Sequence, residues 1–98
     1  MKAKLTKKRR HHRVNTGMRV FLKSATGVTR DMSALGVYFW ISGTYAIGES
    51  ISFSIELKRA GGRIMMRKCK GEVLRVERQD SSRVGVAVRI TESTMEPA

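Results

Sequence analysis

In the stretch ISFSIEL, Ile51, Phe53, Ile55 and Leu57 alternate with Ser52, Ser54 and Glu56. This period of two is the strongest constraint on the fold. Successive side chains of a strand point to opposite faces, so the stretch separates into an apolar and a polar face only when extended. Runs of the same kind recur as MRVFLKS at 18–24, VTRDM at 28–32, VYFWI at 37–41, RIMMRKCKGEVLRVE at 63–77 and VGVAVRI at 84–90. No stretch has helical periodicity, the tail TESTMEPA included. Gly61-Gly62, between the runs ending at Leu57 and starting at Arg63, predicts a hairpin turn. The alternation of the long run shifts phase between Val73 and Leu74, which predicts a bulge or two buried faces there. Six short strands at this spacing predict an all-β fold, a small six-stranded antiparallel β-barrel with no long exposed edge.

With 98 residues and 41% hydrophobic content, the chain suits one domain with a small core. Residues 1–13, MKAKLTKKRRHHR, hold seven basic residues and almost no apolar content, and are expected to form a flexible basic arm. The barrel is expected over residues 14–90, followed by a short tail at 91–98. No apolar run approaches the roughly 20 residues of a membrane span. No apolar segment follows the basic N-terminus as in a signal peptide. The lone Cys69 closes no internal disulfide, which suits a reducing, cytoplasmic location.

Charge narrows the partners. The formal net charge is +12, and ten of the twenty Lys and Arg residues precede Asp31, the first acidic residue. Such a field gathers anions, whether nucleic acid, nucleotide or acidic lipid. Metal and catalytic chemistry find little to work with. Adjacent His11 and His12 diverge, whereas N/S metal sites assemble three or four ligands. Cys69 sits in a strand pattern with no positioned base, and reads as a small core residue.

Two motifs remain. Arg9 and Arg13 form an Arg-x-x-x-Arg pair within RRHHR. Arg59/Arg63 and Arg63/Arg67 repeat that spacing around Gly61-Gly62, where exposed charge on a hairpin explains it. The pattern Asp-x-Ser-x-x-Gly occurs twice, as DMSALG at 31–36 and DSSRVG at 80–85. Each copy alone describes a turn, with Asp and Ser bonding local backbone N–H groups and Gly supplying a positive φ.

Order separates the two copies. Arg9 and Arg13 come first, then a strand pair, then Asp31, Ser33 and Gly36, and at once the apolar run VYFWI. The sequence resembles the PilZ domain family, whose signature is an Arg-x-x-x-Arg arm followed by Asp- or Asn-x-Ser-x-x-Gly. Gly48 before ISFSIEL, GEVLRV at 71–76 and RVGVAVRI at 83–90 extend the likeness from about residue 9 to residue 90. DSSRVG falls in the loop entering the last strand, where the family has no binding motif.

The resemblance implies a six-stranded barrel that binds the bacterial second messenger cyclic di-GMP without catalysis or a cofactor. Carried over, Arg9, Arg10 and Arg13 contact the ligand from the arm, while Asp31, Ser33 and Gly36 form the barrel side of the site. The chemistry fits: a guanidinium meets a phosphate or guanine O6 and N7 through two hydrogen bonds. A carboxylate accepts from guanine N1–H and its exocyclic amine. If Val37, Phe39 and Ile41 face the core, Tyr38 and Trp40 point outward. Trp40 is then a stacking or partner-contact residue, or an ordinary half-buried surface aromatic. The expected output is a surface change passed to an unidentified protein effector, by a monomer or a ligand-dependent dimer. The alternative is a small basic barrel binding RNA or DNA, against which stands the absence of interleaved aromatics on adjacent strands.

Overall fold

The computed structural model describes residues 17–58 and 60–98. Six strands follow one another: β1 (Arg19–Leu22), β2 (Ala25–Met32), β3 (Gly36–Ile41), β4 (Ser50–Lys58), β5 (Ile64–Arg78) and β6 (Val84–Pro97). All neighbours are antiparallel, and the sheet closes into a barrel in the order β1-β2-β3-β6-β5-β4. This is the all-β six-stranded barrel expected from the alternation. No helix among the described residues is long and apolar enough to cross a membrane.

The inward positions build one core. Val20, Phe39, Ile41, Ile55 and Val86 are wholly buried, and the Phe39 and Phe53 rings meet at 5.7 Å with planes tilted by 50°. Each such side chain contributes about 1.5–3 kcal/mol relative to exposure. Buried Thr29 is satisfied, because its Oγ1 accepts a 3.0 Å hydrogen bond from the Met18 amide. Gly61 and Gly62, with φ of 83° and 81°, make the expected turn between β4 and β5.

The register shifts at three places among the described residues: one, between Lys70 and Gly71, leaves Thr91 of β6 unmatched, and the other two border the same outer groove. In β5 the register shifts between Val73 and Arg75, where the alternation changes phase. In β2 it shifts between Thr29 and Asp31, leaving Arg30 and Asp31 together opposite Tyr38. The closing strand also runs further than the apolar pattern indicates. Beyond Ile90 it continues to Pro97, with Glu92–Pro97 paired to Met65–Lys70 of β5, so the stretch set apart as a tail is strand. Both faces of 91–97 are exposed, so backbone pairing alone holds it and no apolar alternation marks it. Closure between β1 and β4 is slight: Val20 pairs with Ile55 and Phe21 with Ser54.

Candidate functional site

The β2 bulge sets the site. An extra residue in one strand turns adjacent side chains toward the same face and sharpens the local twist. Arg30 and Asp31 therefore both stand on the outer surface beside Tyr38. Arg30 Nε donates to Asp31 Oδ2 at 3.0 Å, and its guanidinium lies 4.1 Å from the Tyr38 ring centroid. An open groove of roughly 400 Å³ starts here, lined by Asp31, Ser33 and Gly36 and crossing β3 and β6 to Leu74 and Arg75 of β5.

Tyr38 lies in the groove floor and is buried, although it is on the outer face. Gly85 of β6 makes the room, since a Cβ there would collide with the Tyr38 hydroxyl. That hydroxyl donates to Glu77 Oε1 at 2.7 Å, and Arg75 Nε donates to Glu77 Oε2 at 2.8 Å. Burial raises the Tyr38 phenol above its ordinary value, and the Glu77 carboxylate raises it further. The same hydrogen bond, then that of Arg75, holds the Glu77 carboxyl below its ordinary range.

The β2–β3 loop is held from within. Ser33 Oγ accepts the amides of Leu35 and Gly36, both at 3.3 Å, and the Ser33 amide donates to Gly36 O at 2.8 Å. The Ser33 hydroxyl thus serves the turn. Gly36 is not among the residues of positive φ; a Cβ there would lie 3.2 Å from Val88 O, so glycine permits the close approach of β3 to β6. Below the loop, Arg67 of β5 donates from Nη1 to Ser33 O at 3.0 Å and from Nη2 to Ala34 O at 2.9 Å. Only 9% exposed, it is no surface charge of the hairpin, unlike exposed Arg63. Its phase with Cys69 and Val73 was the available signal.

The second copy of the pattern has the opposite wiring. Asp80 Oδ1 accepts the amides of Ser82 and Arg83, both at 2.8 Å, and the Ser82 hydroxyl at 3.2 Å. The two amides come first in holding its carboxyl below the ordinary range. In DSSRVG the Asp is consumed by the turn; in DMSALG the Ser does that work and the Asp lines the groove. The loops also lie at opposite ends of β3, whose Gly36 pairs with Arg89 and Ile41 with Val84.

Three of the expected site residues, Asp31, Ser33 and Gly36, therefore line one groove. Trp40 does not. It lies beyond Tyr38 on β3, half-buried, with its indole Nε1 buried and without a hydrogen-bond partner among the described residues. Arg9, Arg10 and Arg13 lie outside the described residues. A family model for the PilZ domain matches residues 7–97.

The chain belongs to the PilZ domain family. PilZ domains are binding modules for cyclic di-GMP, so the family supplies a ligand class for the domain. The match takes in the Arg-x-x-x-Arg pair, the Asp-x-Ser-x-x-Gly loop and β6 to Pro97. No curated protein and no solved structure matches the chain significantly. Sequence reasoning missed the non-motif members of this PilZ groove: Arg30, Leu74 and Arg75 as lining, and Arg67 as support.

Proposed function

We propose that this PilZ domain is a cytoplasmic cyclic di-GMP receptor in which Arg9, Arg10 and Arg13 close over the groove against Asp31, Ser33 and Gly36. Occupancy is then passed to a protein partner as a changed surface. One observation carries this reading: Gly17, just before β1, lies beside the groove. The Gly17 amide donates to Thr29 O at 2.8 Å, two residues from Asp31. Arg13 is four residues before Gly17, a reach of about 14 Å when extended. The arm's guanidiniums supply the charge-assisted contacts for two phosphates. Asp31 supplies the carboxylate for a guanine, Gly36 a low floor, and Ser33 the loop that holds them.

Fixing the polar arm costs about 1–2 kcal/mol of backbone entropy per residue, which several charged hydrogen bonds must offset. Arg9→Ala or Arg13→Ala should each remove roughly 1.5–3 kcal/mol, about 10- to 150-fold in affinity by titration calorimetry. In the same samples, ligand should slow amide exchange between Leu5 and Val14 and around Asp31, and leave the core near Phe53 unchanged. Unchanged affinity in both arginine variants removes the arm from the site. A net charge of +12 also favours polyanions. Tight RNA binding that weakens by orders of magnitude over a few-fold rise in salt, with no response to cyclic di-GMP, replaces this reading with nucleic-acid binding.

A further inference from the structure

The groove has a second wall, outside both motifs. Val73 pairs with Val88 and Arg75 with Ala87, so Leu74 is the extra residue of the β5 bulge. Leu74 and Arg75 both line the groove, and both are about half exposed. Across from them stands the Arg30–Asp31 bulge, with β3 and β6 between the two. Four adjacent strands set the wall backbones three spacings apart, about 14 Å. Gly36 and Ala87 keep the floor between them low. The space is an open trough suited to a flat ring with a side chain from each wall.

The two residues of this wall offer complementary chemistry. Leu74 is 50% exposed at the rim of the groove, and presents an apolar surface to the face of a ring. Arg75 is aimed. Its Nε is taken by Glu77 at 2.8 Å, Glu77 is held in turn by Tyr38, and the guanidinium carbon lies 5.8 Å from the Tyr38 ring centroid. The two Nη amino groups make no hydrogen bond among the described residues. That free fork matches two adjacent acceptors. Guanine offers such a pair in O6 and N7, whereas adenine places an amine donor beside N7.

We infer that Leu74 and Arg75 form a base-recognition wall. Leu74 packs on the face of a guanine, Arg75 reads its O6/N7 edge, and Glu77 and Tyr38 are positioning residues for that guanidinium. The inference rests on the cyclic di-GMP reading and adds how the groove selects its base.

The test is calorimetric titration of the full chain with cyclic di-GMP and, separately, cyclic di-AMP, on folded variants verified by amide spectra. Arg75→Ala should weaken cyclic di-GMP binding about tenfold or more and shrink the preference over cyclic di-AMP. Arg75→Lys, which keeps charge but loses the fork, should not restore that preference. Leu74→Ala should weaken both ligands alike, since face packing does not distinguish purines. If Asp31→Ala abolishes cyclic di-GMP binding while the Leu74 and Arg75 variants bind as the parent does, the wall inference fails and the receptor reading stands. An Arg75→Ala loss shared equally by both ligands also overturns edge recognition. Failure of the parent chain to bind cyclic di-GMP overturns both.

Discussion

Arg67 is a charge in the interior whose hydrogen bonds all serve one loop. Burying a guanidinium is costly unless it is hydrogen-bonded, and here the carbonyls of Ser33 and Ala34 accept one bond from each Nη. Arg67→Met keeps most of the stem and removes the donors. Stability should fall by about 1–3 kcal/mol, and amide exchange at Leu35 and Gly36 should quicken more than exchange at Phe53. Urea denaturation with exchange spectra reads both, and an unaltered loop would remove Arg67 as its anchor. Asp31, Ser33 and Gly36 were legible because their spacing is a motif. Arg67 was not, because an arginine beside a hairpin resembles surface charge until its phase with Cys69 is noticed. Arg30 and Tyr38 depend on a bulge that places both at one spot, which no spacing rule reports.

At the scale of elements, the alternation fixed which stretches are strands, and the broken phase after Val73 marked the β5 bulge. The β2 bulge left no such mark, since VTRDM has too few apolar residues for a slip to show. The second half of β6 was invisible for a related reason: with both faces in water, nothing alternates. The two Asp-x-Ser-x-x-Gly loops are the sharpest comparison, because equal letters carry different hydrogen bonds. Asp31→Ala with Ser33→Ala should cripple cyclic di-GMP binding. Asp80→Ala with Ser82→Ala should lower the melting temperature slightly and leave affinity almost intact, because those groups bond only their own turn. Equal losses of affinity in the two pairs would mean that the groove has been assigned to the wrong end of β3.

The whole molecule is a ring of strands with unequal joints. β5 and β6 are consecutive, joined by a turn around Asp80, and pair from Arg78–Val84 to Met65–Pro97. β1 and β4 meet through two pairs, with residues 23–49 between them. Loop closure over a short turn costs less entropy than closure over a long segment, so the β5–β6 ladder should form early and the β1–β4 joint late. Stopped-flow kinetics can check this hypothesis with two wholly buried valines. Val86→Ala in β6 should mainly slow folding, and Val20→Ala in β1 should mainly speed unfolding. The reverse assignment would refute that order. The late joint has a bearing on signalling, because β1 is also the strand that follows the N-terminal arginines in the sequence. In the receptor proposed above, a ligand held by them and by Asp31 would tie β1, the last strand to close, to its neighbour β2. Cyclic di-GMP should then lengthen the lifetime of the folded barrel while hardly altering how fast it forms, so the messenger would also act as a brake on unfolding.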